Sequence, residues 1–199
     1  MNIICTDMEG VLVPEIWIGV AEATGVKELR LTTRDISDYD ELMRKRLSIL
    51  KENKITLPDI QRVIDGMAPL EGAVEFLEWL RSRVQTIVVS DTFSQFAGPL
   101  LKKLSWPTLF CNELVIGPNG SVDGYRLRQK DGKRKTVLAL RSLEFRIVAM
   151  GDSYNDISML KEADQGILFR PPENVRREFP EFPVTERFDE LKSMIQSAL

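Results

Sequence analysis

The sequence predicts an α/β fold: a Rossmann-like, doubly wound parallel sheet with a small helical cap inserted after its first strand. Three observations lead there. Short runs that are apolar along almost their whole length alternate with amphipathic helical stretches, as strands buried on both faces of a parallel sheet require. One block, from about Pro14 to Pro69, breaks that alternation with helical periodicity and no convincing strand. Acids, hydroxyls and glycines follow directly after the apolar runs, at the carboxyl edge where open α/β sheets bind ligands.

The elements follow in chain order. Ile3 to Thr6 is the first strand. The block after it carries helical patterns over Pro14 to Thr24 (stopped by Gly25), Tyr39 to Glu52 and Pro58 to Gly66. A crossover between parallel strands needs one helix, so three argue for a cap over 14–69, with the α/β core in 1–13 and 70–199; a long crossover is the plainer alternative. The core continues with a helix over Gly72 to Arg83, a strand over Thr86 to Ser90 and a helix over Ser94 to Leu104. A short strand at Thr108 to Cys111 precedes VIGPNGSVDGYRL, which reads as a hairpin turning at Asn119-Gly120. A helix over Thr136 to Ser142, a strand over Phe145 to Met150, a helix over Ile157 to Ala163 and a strand over Gln165 to Phe169 complete the pattern.

The bulk composition narrows the function. With 199 residues, 43% hydrophobic and 29% charged, the chain suits one globular unit with a sizeable core. A net charge of −3 argues against a general nucleic-acid surface, and the basic stretch RLRQKDGKRK reads as a solvated loop and helix start. No apolar run approaches the roughly 18 residues of a membrane helix, and no basic region precedes an apolar stretch at the start. The expectation is a cytoplasmic protein that binds neither nucleic acid nor membrane. Cys5 and Cys111 are the only cysteines, too few for a disulfide framework. Histidine is absent, which excludes Ser-His-Asp and Cys-His catalysis, His-ligated zinc and phosphohistidine. Acid–base chemistry must then come from carboxylates, lysine, tyrosine or cysteine.

The candidate chemistry lies at the strand ends. Asp7 and Glu9, one residue apart before Gly10, end the first strand; on a strand, i and i+2 point the same way, and two like charges on one side repel unless a cation or proton sits between them. The second strand delivers Ser90, Asp91 and Thr92, a hydroxyl and backbone N–H groups suited to an anion. The later strand delivers Gly151, Asp152, Asn155 and Asp156. Hard oxygen donors of this kind suit Mg²⁺, which takes one or two protein carboxylates together with phosphate oxygens and water. Lys133, Arg134 and Lys135 open the preceding helix, and one of them can bring a positive charge for phosphate to the same edge.

In the cap, stepping DYDELMRKRLSIL round a helix groups Leu42, Met43, Leu47, Ile49 and Leu50, with Arg44 and Ser48 opposite and Arg46 in the middle of the apolar face. Arg46 is either a snorkelling arginine or a buried guanidinium awaiting a carboxylate. Glu15, after Pro14 in the first turn of the first cap helix, either complements the helix dipole or receives an ammonium. An α-amino acid carries both groups.

Together these elements resemble the haloacid dehalogenase superfamily of phosphatases, whose signature is D-x-D-G, then Ser/Thr, then lysine, then G-D-x-x-x-D. Here they read Asp7-Met8-Glu9-Gly10, Ser90, Lys133 or Lys135, and Gly151-Asp152-Ser153-Tyr154-Asn155-Asp156. Glu9 in place of the second Asp matches the phosphoserine phosphatase branch. Along the whole chain, through TTRDI, PLEGAVEF, SDTF and GDSYND, it is similar to the bacterial members of that branch that also transfer the phosphoryl group to homoserine. It departs from ordinary phosphoserine phosphatases at Ser90-Asp91-Thr92, where they carry Ser-Gly-Gly.

The resemblance implies that Asp7 is the nucleophile and Glu9 the general acid/base. Mg²⁺ would be held by Asp7, the Glu9 backbone carbonyl and Asp152. Lys133 and Ser90 would bind phosphate oxygens, with Asp91 and Asn155 also at the substrate and Asp156 orienting Lys133 or a metal-bound water. Glu15 and Arg46 would take the ammonium and carboxylate of the substrate. The implied partners are small-molecule substrates, phosphoserine and homoserine, and a homodimer is compatible. Two rival readings use the same residues: a phosphatase of sugar or nucleotide phosphates, and a receiver-like signalling module phosphorylated on aspartate.

Overall fold

The structure, a computed structural model, describes residues 1–33, 35–36 and 38–199. Among these residues β1 (Asn2–Thr6), β2 (Gln85–Phe93), β3 (Thr108–Ile116), β4 (Val122–Arg126), β5 (Arg146–Gly151), β6 (Gln165–Phe169) and β7 (Val184–Thr185) form one sheet in the order β4-β3-β2-β1-β5-β6-β7. All neighbours run parallel except β3 and β4, the expected hairpin, which makes one edge antiparallel. The turn closes through Gly117 N–H to the Ser121 carbonyl and Gly120 N–H to the Gly117 carbonyl.

Successive residues of the central strands drop into opposite apolar clusters, as period-two alternation demands. Ile3, Cys5, Ile147, Ala149 and Leu168 pack on one face with Val137, Met159 and Leu160. Ile4, Val148, Met150, Ile167 and Phe169 pack on the other with Phe76, Leu80, Leu191 and Ile195. The helices follow: α1 (Ile16–Thr24), α2 (Tyr39–Glu52), α3 (Leu57–Gly66), α4 (Ala73–Arg81), α5 (Ser94–Lys103), α6 (Gly132–Ser142), α7 (Ile157–Glu162), α8 (Glu173–Glu178) and α9 (Phe188–Ala198). Trp17, Met43 and Ile60, from α1, α2 and α3, belong to the same cluster as Ile4 and Phe76, and the inserted block meets the core through α3 against α5 and α2 against β4.

Local signals explain the ends of the inserted helices. Asp38 accepts from Glu41 N–H at 2.8 Å to cap α2, and Thr56 and Asp59 form a reciprocal capping box at α3. Gly25, in the left-handed region at φ 75°, ends α1. A 3₁₀ turn over Lys27–Arg30 joins α1 to the segment before α2. No helix among the described residues is long and apolar enough to cross a membrane.

Several boundaries differ from the sequence expectation. β2 runs on to Phe93 and β3 to Ile116 because they continue past an irregularity in their pairing. α6 starts at Gly132, one residue before the basic run expected to open it and ahead of the apolar pattern that begins at Thr136, with Lys133 held by Asp7 and Asp156. The structure adds β7, α8 and α9 to the elements the sequence predicts; two residues of strand are too short to leave a periodic signal.

Candidate active site

The register of the sheet sets the site. Thr6 pairs with Val88 on one side and Met150 on the other, so the next residue of each chain segment emerges at one edge. Asp7 N–H still bonds the Met150 carbonyl at 3.0 Å, which holds the Asp7 side chain between the ends of β2 and β5. Beyond it the chain folds back at once: Leu12 and Val13 N–H both bond the Met8 carbonyl, and Gly10 N–H bonds that of Val13. Gly10 sits at φ 77°, and a Cβ there would meet the Asp152 carboxyl carbon at 2.5 Å. A Cβ on Gly151 would fall 2.2 Å from that of Asp156. Both glycines are therefore needed for the acids to approach the backbone.

Asp7, Asp152 and Asp156 are all buried and offer carboxylate oxygens within 4.8 Å of one another. Lys133 is inserted among them. Its Nζ lies 2.7 Å from Asp156 Oδ1, 3.0 Å from Asp7 Oδ2 and 3.8 Å from Asp91 Oδ2, and its side chain is only 3% exposed. Burial alone would lower its pKa, but Asp156, Asp7 and Asp91 outweigh that and hold it well above the ordinary value. Of the two lysines the sequence offers, Lys133 lies among the buried acids, while Lys135 is exposed.

Asp156 is committed to structure. One oxygen takes Lys133, and the other accepts the N–H groups of Asp152 and Ser153 at 3.0 and 3.1 Å. Asp7 is ordered by Met8 N–H on Oδ1 at 2.7 Å. Its pKa is raised well above the usual carboxylate range by burial, then by Asp156 and Asp152, with Lys133 opposing. Three buried acids against one lysine leave an excess of negative charge that a hard divalent cation suits. The all-oxygen donor set fits Mg²⁺.

Glu9 does not share this environment. β1 stops at Thr6, so the strand alternation expected to place Asp7 and Glu9 side by side does not apply. Glu9 instead accepts from Ile16 N–H at 2.9 Å. Its pKa is pushed up to about 7 by burial and by Glu15, against the pull of Ile16 N–H and Arg46. The two acids face one cavity from different charge settings.

That cavity, about 70 Å³, is lined by Asp7, Glu9, Glu15, Arg46, Ser90, Asp91 and Asn155, and also by Trp17, Thr32, Thr33, Tyr39 and Thr92. It adjoins an outer cleft of about 770 Å³ through the shared residues Thr33, Tyr39, Asp91 and Asn155. Arg46 is 7% exposed. Its guanidinium lies 4.6 Å from the Trp17 ring centre, Nη2 donates to the Leu31 carbonyl at 2.8 Å, and Nε has no hydrogen-bond partner among the described residues. Burial draws its pKa down to about 10, with Glu9, Tyr39 and Glu15 opposing, so it stays charged at neutral pH. Glu15 is the residue before α1, not inside its first turn, and makes no side-chain capping bond. Leu47, expected on the buried face of α2, is only half-buried there.

Ser90 is buried, and its Oγ accepts from Thr92 N–H at 3.3 Å. Asn155 Nδ2 donates to Asp91 Oδ2 at 3.0 Å, and its Oδ1 accepts from the Ser153 hydroxyl at 2.6 Å. Of the site residues expected from the sequence, Asp7, Glu9, Glu15, Arg46, Ser90, Asp91 and Asn155 thus line one cavity, and Lys133, Asp152 and Asp156 gather beside Asp7. The structure adds Trp17 and Tyr39 to the cavity wall; both sit in the helical patterns of the inserted block, where an aromatic ring looks like ordinary packing.

The family model for haloacid dehalogenase-like hydrolases matches residues 19–161. A phosphoserine phosphatase of Pseudomonas syringae pv. tomato is 58% identical, over 96% of this chain and 81% of its own. The Pseudomonas aeruginosa phosphoserine phosphatase ThrH is 57% identical, over 96% of this chain and 94% of its own. Among solved structures, a phosphoserine phosphatase in its apo form superposes with a TM-score of 0.78 at 25% identity, covering 98% of each chain. One described as a phospho-aspartyl intermediate analogue of phosphoserine phosphatase shares the fold with a TM-score of 0.79 at 23% identity, over 100% of this chain and 99% of the other. With a family match over most of its length and relatives above half identity, this chain belongs to the haloacid dehalogenase-like hydrolases.

Proposed function

We propose that the protein is a Mg²⁺-dependent phosphoserine phosphatase that works through an aspartyl-phosphate on Asp7 and also passes the phosphoryl group to homoserine. One observation carries the reading: a single cavity joins Asp7, which Lys133 meets at 3.0 Å, to Glu15 and to a buried Arg46 whose Nε has no hydrogen-bond partner among the described residues. A phosphate monoester of an α-amino acid matches both ends, with phosphate at Asp7, carboxylate at Arg46 and ammonium at Glu15. The names of the relatives point to the same substrate.

In this mechanism an Asp7 oxygen attacks phosphorus while the bond to the serine oxygen breaks, and Glu9 gives its proton to the departing alkoxide. Glu9 then takes a proton from water or from the homoserine hydroxyl, whose oxygen forms the new bond to phosphorus as the Asp7–phosphate bond breaks. A pKa near 7 suits an acid that must give and regain one proton. Lys133 and Ser90 bear on the phosphoryl oxygens, and Asp156 holds Lys133 in place. Asp7, the Glu9 carbonyl and Asp152 would hold Mg²⁺, which when bound supplies positive charge against the transferring phosphoryl group.

We read residues 14–69 as a cap that screens this cavity and carries the two groups for the amino-acid end. Homoserine is serine plus one methylene and offers Arg46 and Glu15 the same groups. One methylene is worth only about 1–3 kcal/mol of discrimination, so both alcohols should be accommodated. The test is phosphorus-31 NMR with phosphoserine, Mg²⁺ and excess homoserine. O-phosphohomoserine should accumulate beside inorganic phosphate. Inorganic phosphate as the sole product at every homoserine concentration refutes transfer, and no turnover of phosphoserine refutes the whole reading.

A further inference from the structure

β2 leaves its ladder at the site. Val89 pairs with Phe110 and Phe93 with Asn112, so three residues of β2 face a single residue of β3. Such a bulge takes backbone groups out of the ladder, and buried ones must find other partners. The Asp91 carbonyl finds two: the Tyr39 hydroxyl and Asn112 Nδ2, each donating at 3.2 Å. A trans peptide is planar, with its C=O and N–H pointing in opposite directions. Fixing the Asp91 carbonyl toward Tyr39 and Asn112 therefore turns the Thr92 N–H the other way, toward Ser90 Oγ. Ser90 and Thr92 both line the catalytic cavity.

We infer that Tyr39, from α2 of the inserted block, is a positioning residue that holds the Asp91–Thr92 peptide so that Thr92 N–H, donating to Ser90 Oγ, orients the Ser90 hydroxyl for the phosphoryl group. The inference rests on the phosphoryl-transfer reading above and adds a link to it: the block that meets the amino-acid end of the substrate also sets a donor at the phosphate end. Further contacts fit this role. The Tyr39 ring packs edge-on against Tyr125, at 5.9 Å and 83°, and Tyr125 in turn hydrogen-bonds Asp40, which pins the start of α2 against β4. Burial and the neighbouring Asp91 carboxylate hold the Tyr39 phenol well above its ordinary pKa, so it remains a donor throughout the working pH range.

The test compares Tyr39→Phe and Tyr125→Phe with the parent protein. Tyr39→Phe keeps the ring and removes the bond to Asp91. It should lower kcat about tenfold on both phosphoserine and p-nitrophenyl phosphate, with little change in KM for phosphoserine. Orthovanadate binding, measured by calorimetry with Mg²⁺, should weaken by a similar factor, and circular dichroism should be unchanged. Tyr125→Phe loses only its bond to Asp40 and should stay within about twofold of the parent in every measurement. Unaltered kcat and vanadate affinity in Tyr39→Phe, a loss confined to KM for phosphoserine, or an equal loss in Tyr125→Phe each overturns the inference. Failure of the parent to turn over either ester would instead refute the phosphatase reading, while the vanadate titration would still decide whether Tyr39 orders the anion site.

Discussion

Replacing Arg46 with methionine separates recognition from chemistry. In the structure the guanidinium is 7% exposed, rests on Trp17, bonds the Leu31 carbonyl and leaves Nε unpartnered. A charged donor meeting a carboxylate is worth about 1.5–3 kcal/mol, so kcat/KM for phosphoserine should fall about 10- to 150-fold. O-phosphoethanolamine keeps the ammonium and phosphate but lacks the carboxylate, and its kcat/KM should change by less than about threefold. Stability should barely move, because methionine fills the apolar face of α2 and relieves a buried unpaired donor while losing the hydrogen bonds to the Leu31 carbonyl and Met43 Sδ and a ring contact. These opposing changes are each about 1–2 kcal/mol, and a residual of about 1 kcal/mol shifts Tm by only about 2–4 °C. The assay is initial-rate kinetics on both esters at saturating Mg²⁺, with Tm from calorimetry. An equal loss on both substrates refutes the carboxylate role and makes Arg46 a structural residue.

The other predictions concern the catalytic edge. Asp7→Asn preserves shape and should abolish turnover with an unchanged circular dichroism spectrum; near-parent activity would remove Asp7 as the nucleophile. Glu9, with a pKa of about 7 against an ordinary 4.5, binds its proton more tightly folded than unfolded. Its contribution to stability is therefore complete below about pH 4.5 and is lost as the pH rises through about 7, and Glu9→Gln should flatten Tm in that window. For the same reason kcat on phosphoserine should decline above about pH 7 as the acid form is lost, and a profile without that limb would contradict the role of Glu9. If the acid cluster of the folded protein is the Mg²⁺ site, Mg²⁺ should raise Tm of the parent protein and Asp152→Asn should reduce that shift; an undiminished shift would place the ion elsewhere.

Much of the site was legible in the chain because its signals are local. Apolar runs mark buried strands, and Asp7, Ser90, Asp152 and Asp156 stand directly after them, so a parallel sheet brings them to one edge whatever the loops do. Arg46 stood out because a charge in the apolar face of an amphipathic helix breaks the pattern. The absence of histidine left acid–base work to the carboxylates. These inferences need only periodicities of two and 3.6 residues.

The tertiary structure decided what depends on residues distant in sequence. Helix phase and packing, unseen in a run of three basic residues, turn Lys133 into the acid cluster and leave Lys135 in solvent. Asp7 and Glu9 read as one repelling pair, yet the turn after β1 sends them to separate surroundings, one beside Lys133 and Asp156, the other beside Glu15 and Arg46. Tyr39 meets the Asp91 carbonyl across 52 residues of chain, and only a bulge in β2 leaves that carbonyl to be met. Burial and hydrogen-bond partners set the charge state of each group, and both are properties of the assembled fold; no local pattern encodes them.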